Sequence, residues 1–161
     1  MLQFCGQDRC LVDANGRVKL APRFLSDFRQ AGGEVVLHCL PEGALGVYPE
    51  AVWHKMRQSE ARPELQAARS VVHRRRLRRY GAMSQAERLT NQGRITIPNG
   101  YRELLELVPG TEAVLVGCEI GMEIWSTNRW EAEFRRLHDH ELQKAEAEMD
   151  ADLVSCQEPE I

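Results

Sequence analysis

Residues 11–24 read LVDANGRVKLAPRF, and residues 88–101 read RLTNQGRITIPNGY. A shift of 77 positions, from 11 to 88, lays Gly16-Arg17 on Gly93-Arg94, Val18 on Ile95, Leu20 on Ile97 and Phe24 on Tyr101. The agreement continues downstream, where EVVLHCLPEGALGVYPEAVW (34–53) matches EAVLVGCEIGMEIWSTNRW (112–130). Glu34, Val36 and Leu37 fall on Glu112, Val114 and Leu115; after a slip of one residue, Tyr48 falls on Trp125 and Trp53 on Trp130. Turns, strands and aromatic residues recurring in one order mark a duplicated supersecondary unit.

Each unit reads as two hairpins followed by a helix. In the first, Leu11–Asp13 and Arg17–Leu20 are expected as short strands joined at Asn15-Gly16, a pair suited to a two-residue turn because both positions must accept positive φ. A one-turn helix is expected near Pro22–Phe28. Strands Glu34–Leu40 and Ala44–Tyr48 follow, turned by Pro41-Glu42-Gly43. Pro49 then opens a helix with Val52, Trp53 and Met56 on one side. The second unit repeats the pattern, with Gln92-Gly93 at its first turn and Pro98 leading a helix up to Pro109-Gly110. Ser126 or Thr127 is expected to cap the last helix, whose stripe is Trp130, Phe134 and Leu137.

Short hairpins cannot bury their apolar faces alone, so the two units are expected to close on each other. The predicted fold class is α+β, a pseudo-two-fold β-barrel from two duplicated hairpin units with peripheral helices. The organisation expected is a first unit over 1–60, a bridging helix within 61–83, a second unit over 84–137, and an acidic helical extension over 138–161. The bridging helix itself is placed at about Pro63–Tyr80, with an apolar stripe of Ala61, Leu65, Ala68 and Val72. The last ten or so residues are expected to be disordered.

Composition narrows the function. The net charge of -3 conceals segregation: residues 57–94 carry ten Arg against three Glu, a balance of +7, and residues 131–161 carry three basic and ten acidic side chains, a balance of -7. A basic middle and an acidic tail can steer a polyanion to one face. No stretch approaches the roughly 20 apolar residues that cross a bilayer, and MLQFCGQDRC lacks a secretory signal pattern, so a cytoplasmic protein is expected. Cys5, Cys10, Cys39, Cys118 and Cys156 form no C-x-x-C pair and read as free thiols; the spacing of Cys5 and Cys10 fits no common metal site. His138 and His140 point to different faces of a helix, unlike the i, i+4 pair a helical metal site uses. His38 and His54 are isolated, and no nucleophile elbow, P-loop or dinucleotide glycine pattern occurs. Neither an enzyme nor a cofactor, metal or small-molecule substrate is expected.

D-A-N-G-R followed by an apolar strand and a short helix resembles the looped-hinge signature of the SpoVT/AbrB superfamily of bacterial transcription factors. Two copies in one chain, Tyr48-Pro49 and Trp125, Trp53 and Trp130, and VLVG (114–117) are similar to the MraZ family over roughly residues 1–137. The resemblance implies an AbrB-like double-split barrel, a ring-shaped homo-oligomer, association with the nucleoid, and repression of a division and cell-wall gene cluster through repeated operator boxes. It also implies a D-x-x-x-R motif in each half. Asp13 and Arg17 fit it; in the second half Arg94 fits and Thr90 stands where the Asp would be. Asn15 and Gln92 replace a lysine expected before the glycine. Arg102 and Glu103 keep the family pattern, whereas Leu25 stands where the first half would have Arg.

Arg17 and Arg94 each follow a glycine turn, so both are expected at the tip of a two-stranded ribbon able to enter a major groove of double-stranded DNA, where Arg can pair with the O6 and N7 of guanine. Gly16 and Gly93 allow a close approach to phosphates, with backbone N–H groups available to donate. Asn15 and Gln92 suit adenine edges, and Lys19 and Arg23 suit phosphates. For Asp13 and Arg17 a structural reading stays open, in which the pair pins its turn. Arg94 lacks that Asp, and the recurrence at matched turns favours contact with DNA. The Arg74–Arg79 run reads either as a second phosphate-binding surface or as a solvated helix end partly paired with the acidic tail of a neighbouring subunit. Trp53 and Trp130 read as core or interface anchors. The competing function is a protein-interaction module that binds a partner through its acidic C-terminal helix.

Overall fold

The computed structural model describes residues 2–59 and 62–155. The chain divides into two compact units, Met1–Thr127 and Asn128–Ile161. The first holds β1 (Gln7–Leu11), β2 (Arg17–Lys19), α1 (Pro22–Gln30), β3 (Glu34–Cys39), β4 (Leu45–Pro49), α2 (Glu50–Gln58), α3 (Pro63–Arg69), α4 (Val71–Ala82), β5 (Ser84–Arg88), β6 (Arg94–Thr96), α5 (Asn99–Arg102), β7 (Glu112–Gly117) and β8 (Met122–Ser126). The second consists of helix α6 (Thr127–Ser155), which starts one residue before the division.

The duplication is legible in the topology, and the two halves exchange strands. The large sheet runs β1-β7-β8-β4-β3-β5, and a separate two-stranded sheet pairs β2 with β6. Hairpins β3–β4 and β7–β8 are equivalent and meet at the β4–β8 seam. Each hairpin takes its outer strand from the other half: β1 pairs with β7, and β5 pairs with β3.

This exchange corrects the expected first hairpins. Leu11–Asp13 and Arg17–Leu20 form no ladder with each other beyond the turn-closing bond from Asp13 N–H to the Arg17 carbonyl at 2.9 Å; β1 starts earlier, at Gln7, and the chain leaves the sheet at Asp13. Pairing β2 with β6 places Val18 opposite Ile95, and both are buried, at 0% and 1% exposure. Burying such a pair stabilises by roughly 1.5–3 kcal/mol per side chain, a gain that a solvated local hairpin would forgo. The closed barrel is corrected too. Strands β1 and β5 end the six-stranded sheet without pairing to each other, because the chain turns out of that sheet after each of them and spends its next strand on the ribbon. The fold is mixed α+β with open antiparallel sheets.

Helix lengths follow local chemistry. Pro22 sits in the first turn of α1 with its fixed φ already helical, and Phe24 and Phe28, one turn apart, enter the core. The helix is nine residues long rather than one turn. It ends in a Schellman motif, with Gly33 N–H on the Phe28 carbonyl and Gly32 N–H on that of Arg29. By contrast, the helix expected up to Pro109 stops at Arg102. Leu105 and Leu107, two apart, are both buried, an alternation unlike that of a one-faced surface helix, and Glu106 takes positive φ between them. The expected bridging helix is split at Ser70, which is extended and caps α4 through its hydroxyl, accepting from His73 N–H at 3.3 Å. Ala61 of the expected stripe lies outside the described residues. So do residues 156–161 of the tail, including Cys156; over Asp152–Ser155 the chain is helical rather than disordered.

Ile95→Ala leaves a cavity where the halves interlock and is expected to cost about 2–5 kcal/mol in urea unfolding, with the body, residues 1–127, still melting in one transition. Two separated transitions for its halves would contradict the exchanged-strand core.

Candidate functional site

The β2–β6 ribbon has one buried and one open face. Arg17 lies opposite Thr96 and Lys19 opposite Arg94, and directly opposed residues of an antiparallel pair project to the same side. With Val18 and Ile95 turned inward, Arg17, Lys19, Arg94 and Thr96 form the outer face. The two arginines are therefore not at the tips of separate hairpins. They stand at diagonal ends of a single short ribbon, about 8 Å apart at Cα by strand geometry.

The turns leading into each strand are matched in backbone and different in charge. Gly16 N–H donates to the Asp13 carbonyl and Gly93 N–H to that of Thr90, both at 2.9 Å. Those glycine amides are thus spent inside the turns and are not the phosphate donors expected. Asp13 Oδ1 accepts from the backbone N–H groups of Asn15 and Arg17, each at 2.9 Å, and its Oδ2 accepts from Arg17 Nε at 3.0 Å. The Arg17 N–H, followed by the guanidinium and the Asn15 N–H, holds the Asp13 carboxyl below its ordinary 3.8. Thr90 reproduces only the backbone part, accepting from Arg94 N–H at 2.9 Å through Oγ1. Hence Arg17 is restrained by an ion pair, and the Arg94 guanidinium has no ion-pair partner among the described residues.

Each turn is clamped by the other half. Arg102 of α5 lies across Gly16, with Nε donating to the Ile97 carbonyl at 2.8 Å and Nη2 to that of Asn15 at 3.0 Å. Leu25 of α1 lies over Gly93 in the equivalent place, and Arg29 Nη2 donates to the Asn91 carbonyl at 3.0 Å. Both glycines have positive φ, +73° and +77°, and a Cβ would strike these clamps. Arg102 is visible in the sequence as a residue of the family pattern, but its partner is not, because the contact crosses the two halves. Arg29 and Thr96 carried no signal of their own.

Of the remaining expected residues, Asn15 and Gln92 are exposed beside the ribbon. Arg23 is engaged elsewhere, bound to Asp8 at 2.6 Å and to the Cys5 carbonyl at 3.2 Å, with its guanidinium over the Phe24 ring. Burial pushes the Cys10, Cys39 and Cys118 thiols up to about 11, which leaves them inert at neutral pH. Trp53 belongs to an aromatic cluster on α2, β3 and α4: His38 lies 5.0 Å from the Trp53 ring and stacks on Tyr80 at 5.1 Å. Burial, reinforced by Arg79, lowers His38 to about 4, so it is a neutral member of that cluster. No group of three or more metal-ligating side chains occurs among the described residues.

The Asp13 turn has a pH signature. A carboxyl depressed on folding stabilises above its unfolded value and loses that contribution as pH falls through its folded value. The stability difference between wild type and Asp13→Asn is therefore expected to hold from pH 7 to about 5 and to close below about pH 4. Urea titrations in which the gap persists unchanged at about pH 2.5 would contradict the assignment.

The family model described as "MraZ protein, putative antitoxin-like" matches residues 85–153. The chain is 32% identical over 152 residues to the transcriptional regulator MraZ of Moorella thermoacetica, covering 93% of this chain and 99% of that protein. It is 35% identical to the protein of the same name from Lachnoclostridium phytofermentans, over 80% of this chain and 85% of the relative, and 32% identical to that of Desulforapulum autotrophicum, over 84% and 87%. With duplicated units, a glycine turn before each ribbon strand and similarity over nearly its full length, the chain belongs to the MraZ family.

Proposed function

We propose that the chain is a DNA-binding transcriptional regulator and that the outer face of the β2–β6 ribbon contacts the duplex. The observation that carries this is the direct opposition of Lys19 and Arg94 across the ribbon, with Arg17 two pairs further along on the same face. Like charges facing each other across strands are destabilising. Neither Lys19 nor Arg94 has an acidic partner among the described residues, and Asp13 neutralises only Arg17. A polyanion is the partner that turns this cost into affinity.

The dimensions suit a duplex. Two strands about 4.8 Å apart with their side chains match a major groove about 12 Å wide. Arg94 is the side chain placed to seek a guanine edge, worth about 1–3 kcal/mol of discrimination. Asn15 and Gln92 flank it as candidates for adenine edges, while Lys19 and Arg17 neutralise phosphates. Arg17 competes with its own Asp13, so it contributes less than Arg94. One ribbon offers few contacts, and specific binding then depends on several ribbons acting together. This fits a ring-shaped homo-oligomer in the cytoplasm, bound at the nucleoid to repeated boxes and repressing its own division and cell-wall genes.

A second reading is favoured by the exposure of α6, whose residues from Arg135 to Ser155 are all solvent-facing: a protein-capture module using the acidic helix, in keeping with the antitoxin-like wording of the matched family. Deleting residues 138–161 separates the two, since the ribbon's contact with a duplex carrying a single box survives the deletion under the first reading and partner capture is lost under the second.

The primary test is fluorescence anisotropy with duplex from upstream of the chain's own gene, over a range of salt. Lys19→Ala with Arg94→Ala is expected to weaken binding at least tenfold and, through the lost Lys19 phosphate contact, to flatten the log K against log salt slope by about one for each ribbon engaged; Arg17→Ala has the smaller effect on affinity. Binding and slope unchanged in the double variant would exclude the ribbon as the contact.

A further inference from the structure

The first unit carries an apolar cleft that the ribbon does not use. It has a volume of about 300 Å³, with walls that include Leu40, Trp53, Met56 and Tyr80 and with Arg76 and Arg79 also lining it. Arg79 is fixed there by donating to the Cys39 carbonyl at 2.8 Å. The neighbouring face of α4 is strongly basic: between Arg62 and Arg79 the chain has seven Arg and one acidic residue, Glu64. Arg75 and Arg78 project outward and have no ion-pair partner among the described residues. A preformed apolar slot flanked by arginines fits an amphipathic helix whose apolar stripe is bordered by carboxylates.

The chain itself contains such a helix. On α6, Leu142, Ala145, Met149 and Leu153 recur at the spacing that lines one face, and the three larger ones are 60%, 65% and 65% exposed. By the same 3.6-residue period, Asp139, Glu146 and Asp150 flank the stripe on one side, and Glu141 and Asp152 on the other. Between 139 and 152 there are six acidic residues and one Lys. Helices draw most of their stability from packing an amphipathic face, so this stripe calls for a cover. Self-association of two such stripes would oppose acid to acid, whereas the α4 face supplies the opposite charge.

We propose that the cleft beside α4 receives the acidic stripe of α6 from a second copy of this chain, with Leu142 and Met149 as its anchors. The proposal rests on the homo-oligomer part of the function above and is independent of the DNA contact, because no ribbon residue takes part.

The test is the mass in solution of the full-length chain by light scattering, at low and high salt. Wild type is expected to be a multimer. Arg75→Glu with Arg78→Glu, or Glu146→Lys with Asp150→Lys, each shifts it toward the monomer, and a chain carrying all four changes recovers the multimer. Circular dichroism checks that the variants are folded, and Leu142→Ala with Met149→Ala, which leaves every charge in place, is expected to lower the mass as well. Mass unaffected by both charge reversals, or a loss that the fourfold chain does not recover, overturns the docking while leaving assembly intact. A monomeric wild type overturns the assembly reading and the docking together, and anisotropy on a single box then still reports the ribbon's contact with DNA.

Discussion

The pairing of Val18 with Ile95 across the β2–β6 ribbon ties the two halves of the chain into one body. Neither strand exceeds three residues, and neither has a pairing partner within its own half. What holds them is the buried inner face together with hydrogen bonds that extend the ladder at both ends, Leu20 N–H to the Gly93 carbonyl and Ile97 N–H to that of Gly16. Because the inner face must be apolar, the alternation of a strand sends its neighbours outward. Arg17, Lys19, Arg94 and Thr96 consequently share a face without any further instruction. The same constraint that completes the core assembles the candidate site.

The near symmetry is broken where charge matters. Asp13 and Thr90 fold their turns in the same way, each accepting the N–H of the arginine four residues on, but only Asp13 also holds the guanidinium. Arg102 clamps one turn with hydrogen bonds, and Leu25 covers the other with hydrocarbon. One end of the ribbon is thereby ionically satisfied, and the other presents an arginine without an acidic partner among the described residues. Under the proposed contact with DNA, such a division would give positioning to the first end and base contact to the second.

Much of this was legible in the sequence. The repeat at Gly16-Arg17 and Gly93-Arg94 located both turns, and the aromatic pairs Tyr48/Trp125 and Trp53/Trp130 fixed the second hairpins and the helices after them. The strand exchange was not legible, since a hairpin signal at Asn15-Gly16 specifies a reversal of the chain and not the strand it will pair with. The same limit explains why Arg102 could be noted without its partner across the halves. Ser70 interrupts a run that looked uniformly helical because its hydroxyl competes for the backbone as a cap, and Leu105 and Leu107 end α5 by an alternation that only the core reveals.

Amide hydrogen exchange followed by mass spectrometry, with and without duplex from the upstream region, locates the DNA contact without changing any residue. Added protection is expected only over about residues 13–20 and 90–97, on the open face of the ribbon and its two turns. Protection that instead falls on α2, α4 or the β4–β8 seam, with the ribbon exchanging as in the free protein, would contradict a contact through the ribbon.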